Sequence, residues 1–480
     1  MVSPPRPLRT TTAQAIANVP VYDGSHTEAS SESVVTSQNQ DRKEEHDASA
    51  TDTENAPIVT ESESPEQGLR APASASADDS VPDGGYGWVV VAGCATLTFW
   101  FGGTTYSWGV MQAALVNEGL ADASTLAFVG STTVAAIAAF ALINARIVRV
   151  LGARLTAMLG VFLMGIGEFA ASFNTKSIGG MFGTESILMG VGVSLCFMVT
   201  SVTPAQYFKK KRGLANGVVY AGGGLGGTGI AFVMDAINQR LGVRWTFLIL
   251  GIAMLGTGLP MAFLIKDRGG PPPVRAWVEW NLFKDFRFTT LFLCGLIATF
   301  PLFVPVFFVP LYAESFGIPS LGGAGLVAAF QFASFFGRLG GGALADVLGA
   351  LNTLIASLVL NAVSMLLIWP FSTSIAPLVV FVILNGAANG TFFATMPTVV
   401  ANIFGSARLS VAMGMVVTAW TGGYLLGSPI AGYILSATGD EHDVHSYLPS
   451  IFYAGGLSAL ALVLSLMTRL KISRRVMHKV

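Results

Sequence analysis

Twelve apolar stretches, separated by short polar loops, follow a polar segment of 80 residues. Each stretch can span a bilayer, which requires roughly 20 apolar residues. Lipid offers no partners for unpaired backbone groups, so we expect every stretch to be a helix. The chain is therefore predicted to be an all-α membrane protein with twelve transmembrane helices, at residues 87–112, 125–147, 153–173, 180–206, 213–236, 244–266, 287–313, 321–347, 351–371, 375–403, 409–437 and 448–471.

Charged residues are scarce outside the N-terminal segment. They make up 11% of the 480 residues, against about 25% in soluble domains. Residues 1–80 are rich in Ser, Thr, Glu and Asp and contain no apolar core of a signal peptide. Such a segment cannot bury enough apolar surface to offset its ordering entropy, so we expect 1–80 to be a disordered cytoplasmic tail.

The distribution of basic residues predicts the orientation in the membrane. Short cytoplasmic loops carry an excess of Lys and Arg. Three basic residues lie in loops on one side, at Lys176, Arg240 and Arg244. Eighteen lie on the other side, which we therefore predict to be cytoplasmic together with both termini: Arg146, Arg149, Arg154, Lys209, Lys210, Lys211, Arg212, Lys266, Arg268, Arg275, Lys284, Arg287, Arg408, Arg469, Lys471, Arg474, Arg475 and Lys479.

A loop with three consecutive prolines, at 271–273, follows the sixth stretch. Small residues recur across it with a constant offset: 349 − 152 = 197 for Gly152 and Gly349, and the same for Gly217 and Gly414. Parallel repeats of this kind are typical of the major facilitator architecture. We predict two pseudo-symmetric six-helix bundles, at 81–266 and 287–471, a cytoplasmic linker at 267–286 and a cytoplasmic C-terminus at 472–480.

Arg338 is the leading candidate for a substrate-binding residue. It lies within the eighth stretch, where a charge costs at least about 2.5 kcal/mol. A guanidinium stays charged and can bind a carboxylate with two parallel hydrogen bonds. Arg338 is therefore predicted to bind an anion at a central cavity. The alternative is an arginine near the cytoplasmic end that pairs with Asp346 or with backbone carbonyls.

Residues 342–349 resemble the Gly-x-Leu-Ala-Asp-x-x-Gly loop of major facilitators. The resemblance implies a gating role for Gly342, Asp346 and Gly349, in which the carboxylate holds the cytoplasmic helix ends together near a helix N-terminus. The repeat departs from this pattern in the first half, where Arg149 occupies the acidic position.

Two further acidic residues lie within the third and fourth stretches. A buried carboxyl group can take up and release a proton, so Glu168 and Glu185 are proton-coupling candidates. The alternative is that both lie near the outer interface and are solvated.

Other polar and small residues are less specific. Within the stretches, Tyr106, Tyr220, Asn389 and Trp420 are candidates for lining a cavity. The glycine-rich run at 222–227 lacks the strand and the Gly-Lys-Ser/Thr of a phosphate loop, so close helix packing is predicted. The three cysteines and five histidines show no metal-binding spacing, and no cofactor or metal is expected.

Two motifs resemble signatures of the monocarboxylate porter family, in its fungal form. Residues 83–88, Asp-Gly-Gly-Tyr-Gly-Trp, are similar to the family's Asp-Gly-Gly-aromatic-Gly-Trp. Residues 207–217, Tyr-Phe-Lys-Lys-Lys-Arg-Gly-Leu-Ala-Asn-Gly, are similar to its Tyr-Phe-x-Lys-Arg-x-x-Leu-Ala-x-Gly. The likeness covers about residues 82–471.

The resemblance implies a proton-linked or facilitative carrier of small carboxylates such as lactate and pyruvate. It places Arg338 at the family's eighth-helix arginine, which is linked to substrate and proton binding. Ser334 stands where animal members have an aspartate, and Tyr106 where they have a lysine. These departures favour the alternative, a carrier or exporter of a larger organic solute such as riboflavin or an aromatic acid.

The predicted protein is thus a secondary transporter, and no catalytic set in the stretches suggests an enzyme. A non-transporting nutrient sensor is a further hypothesis, which the lack of a folded signalling extension disfavours. The predicted partners of the transporter are a small organic anion, protons and the bilayer. An accessory membrane protein is left open, and no nucleic acid is expected. We expect a multi-pass protein of the plasma membrane rather than the vacuolar membrane.

Overall fold

The computed structural model describes residues 81, 83–121, 123–268, 278–318, 320–438 and 443–473. The predicted tail at 1–80, most of the proline-containing part of the linker and the last seven residues lie outside the described residues. All regular structure in the described ranges is helical, as the twelve apolar stretches predict.

Fourteen α-helices, numbered α1 to α14 in chain order, are defined in these ranges. A π-helical turn, Phe182–Met189, joins α4 to α5, and a second, Ser364–Ile368, extends α11. The α-helices are Gly87–Asn117, Ala123–Ala139, Ala141–Ala171, Ile178–Met181, Gly190–Val202, Arg212–Leu241, Val243–Leu264, Phe286–Leu302, Val304–Glu314, Ser320–Leu348, Ala350–Val363, Ile375–Phe404, Ser406–Thr438 and Leu448–Ile472.

Ten helical segments of the described residues are long and apolar enough to cross a membrane. They correspond to the first, the third to seventh and the ninth to twelfth predicted spans. The eighth predicted span coincides with α10, and the total of twelve stays a prediction. The second predicted span, 125–147, covers α2 and the start of α3. Phe140 between them keeps helical φ and ψ angles, and backbone hydrogen bonds from Phe140 to Ala136 and from Asn144 to Phe140 continue across it. The non-helical kink lies at Gly152 within α3, at the predicted boundary between the second and third spans.

The internal repeat is visible in the backbone. Gly152 and Gly349, which share the offset of 197 residues, both have positive φ angles, of 80° and 97°. This left-handed conformation is accessible to glycine at little cost. Gly349 therefore turns the chain between α10 and α11, and Gly152 makes the matching kink within α3.

The helices before the linker, α1–α7, are here called the first group, and those after it, α8–α14, the second group. The repeat also relates the contacts between these two groups. An added Cβ at Gly217 in α6 would lie 3.1 Å from Gly342 Cα in α10. One at Gly414 in α13 would lie 2.8 Å from Ala145 Cβ in α3. The residue numbers of the two contacted residues, Gly342 and Ala145, also differ by 342 − 145 = 197. Two equivalent seams therefore join the groups. The domain boundaries themselves remain predictions.

The two groups pack together at the end of the helices that carries Lys209–Arg212, here called the basic end. One buried apolar cluster contains residues of both groups, whereas a second contains only residues of the second group. Hydrogen bonds join the groups at the basic end and level with Arg338, for example from Asn216 Nδ2 to Thr398 Oγ1 at 2.8 Å. The structure is therefore closed at the basic end.

The two signature motifs form one unit beside this end. Asp83 Oδ1 accepts hydrogen bonds from the backbone N–H groups of Lys209 (2.7 Å), Lys210 (2.7 Å) and Lys211 (3.2 Å). The Trp88 and Phe208 rings pack edge to face, with centroids 4.9 Å apart. Successive N–H groups bind anions well, so the carboxylate fastens the start of α1 to the loop before α6.

Asp83→Asn is expected to lower the melting temperature of the purified protein at pH 7. Partial burial alone would raise the pKa of Asp83, but the three N–H donors and Lys210 hold it below its ordinary value of 3.8. A carboxylate with a lowered folded pKa stabilises the fold above the unfolded pKa and loses this contribution as the pH falls through the folded one.

The melting-temperature difference between wild type and Asp83→Asn should therefore persist from pH 7 down to pH values near the ordinary pKa, and shrink only below it. A difference that disappears well above that pH would contradict the proposed contacts.

Candidate functional site

Arg338 lies at the level of the bundle where α1, α6 and α10 cross. Its side chain is 3% exposed. Nη1 donates to the Tyr220 carbonyl oxygen at 2.9 Å, and Nη2 donates to Tyr106 Oη at 3.0 Å. The guanidinium carbon lies 5.5 Å from the Tyr106 ring centroid and 5.8 Å from that of Phe393. Nε is buried with no hydrogen-bond partner, so one donor of this cation is unused.

Small residues make this position accessible to a guanidinium. An added Cβ at Gly223 would lie 2.8 Å from Arg338 Nη1, and one at Gly102 would lie 2.7 Å from Gly223 Cα. Because glycine has no side chain, α1 and α6 approach closely and leave room for the cation. The prediction that the glycine-rich run serves close packing is confirmed.

Arg338 is the one charged residue in the lining of a central cavity. Seven of its lining residues are aromatic. No described carboxylate lies in the lining. The lining residues are Thr98, Phe101, Gly102, Thr105, Tyr106, Val134, Ile137, Phe197, Tyr220, Gly223, Phe303, Arg338, Phe393 and Tyr424.

Three of the six predicted substrate residues meet at this cavity: Arg338, Tyr106 and Tyr220. The alternative was a pair with Asp346 or with backbone carbonyls. Arg338 does not pair with Asp346, whereas one of its hydrogen bonds does go to a backbone carbonyl, that of Tyr220, and the other to Tyr106 Oη. The structure thus brings together residues from three helices that are far apart in the sequence.

The other three predicted residues lie behind the cavity wall. Trp420 is 1% exposed and packs edge to face on Phe197, with centroids 6.1 Å apart. Asn389 Nδ2 donates to the Leu302 carbonyl oxygen at 2.9 Å. Ser334 is fully buried, and its Oγ would be 2.9 Å from a Cβ added at Gly390. These side chains support the wall and do not line the cavity.

Sequence reasoning missed several lining residues, notably Tyr424 and Phe393. Tyr424 lies one helical turn after Trp420, but Trp420 itself lies behind the wall, so this spacing did not identify Tyr424 as a lining residue. Phe393 lies in a continuously apolar stretch, where the pattern distinguishes no face.

The gating candidates meet at the seam between α6 and α10. Asp346 Oδ1 accepts from the Gly213 N–H and Oδ2 from the Leu214 N–H, both at 2.7 Å. These are orphan donors in the first turn of α6, where negative charge is also favoured by the helix dipole. Gly342 packs against Gly217 in the same seam, and Gly349 makes the turn after α10.

Glu168 and Glu185 lie outside the lining of the cavity. They are 1% and 3% exposed. These carboxyl groups are therefore not solvated in this structure, and their depth in the membrane stays a prediction. Their position in the third and fourth predicted spans is as expected from the sequence.

The cavity offers one fixed cation, a few hydroxyl groups and aromatic faces. In the described part of the chain, no group of three or more His, Cys, Asp or Glu residues could hold a metal ion. An anionic group placed beside Arg338 would supply the countercharge that a buried cation requires.

Comparison with known proteins agrees with this architecture. Residues 89–349 and, overlapping them, 291–478 match the Major Facilitator Superfamily. The chain is 27% identical to the aspyridones efflux protein apdF of Emericella nidulans over 404 residues, which is 82% of each chain. It is 28% identical to monocarboxylate transporter 4 of Mus musculus over 378 residues, covering 74% of this chain and 79% of the relative.

A solved structure shows the same fold. The human organic anion transporter MFSD10 (TETRAN) superimposes with a TM-score of 0.63 at 14% identity, covering 79% of this chain and 98% of that one. The predicted fold class is thereby confirmed. With family matches spanning most of the chain, an all-helical bundle and a central cavity, this protein belongs to the major facilitator superfamily.

Proposed function

We propose that this transporter carries an organic anion with an aromatic body by alternating access, with Arg338 as the anion-binding group. The observation that carries the proposal is the buried guanidinium, which lies in the cavity without a described carboxylate beside it. A buried unpaired charge is costly, so binding of an anion is favoured there. The closed basic end fits one of the two access states of such a carrier.

The wall of the cavity favours an aromatic substrate over a small acid. Phe101, Phe197, Phe303 and Tyr424 offer ring faces and edges to a flat apolar body. The relative from Emericella nidulans is named as an efflux protein for aspyridones. Together these support export of a larger organic anion, the alternative stated from the sequence.

Transport of a small monocarboxylate with proton coupling is the second candidate. Arg338 suits any carboxylate, and the mouse relative is named a monocarboxylate transporter. This candidate includes symport with protons. The direction of transport, the cytoplasmic location of both termini and the location in the plasma membrane are also proposals.

The substrates of the two candidate functions differ by an aromatic ring, so a matched pair of probes can distinguish the functions. Purified protein in liposomes should exchange labelled phenylpyruvate faster than pyruvate, since both carry the same carboxylate but only one has a ring. Riboflavin tests a larger solute that lacks a carboxylate. Equal or faster exchange of pyruvate would favour the small-acid carrier. Transport of riboflavin without either acid would overturn the anion proposal.

A further inference from the structure

Two glutamates of the first group take no part in the proposed substrate binding. Glu168 lies in α3 and Glu185 in the π-helical turn before α5. These segments touch at Gly167, where an added Cβ would lie 3.1 Å from the Thr184 carbonyl oxygen. Glu168 follows Gly167 and Glu185 follows Thr184, so the two glutamates lie on neighbouring segments beside this crossing. The Glu168 Cβ also lies 3.3 Å from a Cβ added at Gly251, so α7 packs against Glu168.

Neither carboxyl group is satisfied by the protein around it. Glu168 Oε2 and Glu185 Oε1 are buried and have no hydrogen-bond partner. Thr133 lies beside them in α2, but its Oγ1 donates to the backbone oxygen of Glu185, at 3.0 Å, and not to the carboxyl group. Among the described residues, neither glutamate forms an ion pair.

The helices packed around the pair supply no bonded cation. α2 contains no titratable residue, and Cys196 of α5 lies near the Ala157 carbonyl. In α7, the Arg244 guanidinium lies over the Phe173 ring, 5.3 Å from its centroid. The remaining titratable groups on helices that contact α3 or the π-helical turn are Arg146, Arg149 and Arg154 of α3 and Arg408, Tyr424 and Tyr433 of α13.

We propose that Glu168 and Glu185 together bind a transported proton, at a site in the first group that is separate from the Arg338 cavity. Two negative charges in a low-dielectric crossing would repel each other and lose their hydration. One proton, taken up from solution, removes one of the two charges. Release of the proton to the other side of the membrane restores both negative charges. Water that gains access to the carboxylates can stabilise this doubly ionised state.

Helix α2 connects this pair to the substrate cavity. Thr133 bonds to Glu185, whereas the next residue, Val134, lines the cavity. Ser186 Oγ also donates to the Val129 carbonyl oxygen of α2 at 2.9 Å. A shift of α2 on substrate binding would therefore move the backbone that carries Glu185. This is a physical route by which anion and proton occupancy depend on each other.

The protonation state is tested without any substrate. Infrared spectra of the purified full-length protein at pH 7 should show the carbonyl stretch of protonated carboxyl groups, reduced in Glu168→Gln and in Glu185→Gln. Glu314→Gln, at an exposed glutamate of α9, is the matched control and should leave the band unchanged. A spectrum without a band that either buried variant removes would overturn the proposal.

Transport assays test the coupling, which rests on the proposed function. In liposomes, Glu168→Gln and Glu185→Gln should lower proton-gradient-driven accumulation of phenylpyruvate by about tenfold or more. Counterflow exchange of the same probe, which needs no net proton movement, should stay close to wild type. Both directions of the gradient are measured, and a sodium gradient replaces the proton gradient in a parallel series.

The outcomes separate the two proposals. Loss of counterflow together with accumulation in both variants would make the pair part of binding or folding and would overturn proton coupling. Accumulation driven by sodium rather than protons would overturn it as well. If the wild-type protein shows no counterflow of phenylpyruvate, the proposed function fails on this probe, and the infrared result still decides whether the pair holds a proton.

Discussion

Arg338→Gln is expected to abolish transport of phenylpyruvate and pyruvate in liposomes while the protein remains folded. Glutamine keeps a polar group near Tyr106 and Tyr220 but removes the charge that an anion would pair with. Loss of one partner from a buried charged pair costs about 2–5 kcal/mol. This corresponds to a fall in affinity of about 30-fold or more.

Arg338→Lys distinguishes charge from geometry. The guanidinium reaches the Tyr220 carbonyl and Tyr106 Oη with two nitrogens while Nε stays unused. An ammonium group is a single point charge and cannot keep both anchors and offer a fork to the substrate. We therefore expect Arg338→Lys to transport poorly, although better than Arg338→Gln.

Initial rates over a range of substrate concentrations give the measurement, with elution volume and melting temperature as checks on folding. Arg240→Gln, at an exposed arginine of α6, is the control and should transport like wild type. Normal uptake by a folded Arg338→Gln protein would refute the assignment of Arg338 as the anion-binding group.

Asp346→Asn is expected to loosen the closed basic end. The carboxylate accepts two backbone hydrogen bonds across the seam between α10 and α6. Hydrogen bonds to charged groups contribute about 1.5–3 kcal/mol each. The neutral amide keeps one oxygen acceptor and loses the favourable charge at the α6 N-terminus. A change of about 1.4 kcal/mol already shifts the balance of access states about tenfold.

Thiol labelling measures this shift. The native cysteines Cys94, Cys196 and Cys294 are buried and would be replaced first. A cysteine in place of Ala215, which is fully buried near the seam, should react with maleimide about tenfold faster in the Asp346→Asn background. Asp235→Asn, an exposed aspartate of the same α6 helix, is the matched control. Equal labelling rates in all backgrounds would show that Asp346 does not hold the seam closed.

Much of the fold could be predicted from local sequence, for a reason specific to membranes. A backbone in lipid must satisfy its own hydrogen bonds, so each apolar stretch predicts a helix independently of its neighbours. The kink at Gly152 falls between the second and third apolar stretches, where the sequence predicts a boundary. The turns at Gly152 and Gly349 were also visible, because the repeat offset connects them.

The candidate site was predicted only in part. Arg338 could be found from sequence because a charge in an apolar stretch is costly and therefore rare. Tyr106 and Tyr220 were reasonable candidates by the same logic of polarity. Asn389 and Ser334 have the same polarity, and yet they point to neighbouring helices, because helix rotation decides which face meets the cavity.

The sequence by itself determined the helical class, the repeat and the identity of the one cation in the cavity, since each follows from residue type and spacing along the chain. Only the tertiary structure decided what surrounds that cation, that Asp83 joins the two signature motifs, and that Glu168 and Glu185 are both buried. The first two depend on contacts between parts of the chain that are distant in sequence, and the third on how neighbouring helices pack. The surroundings of the cation require the close approach that Gly102 and Gly223 permit, which no local pattern specifies.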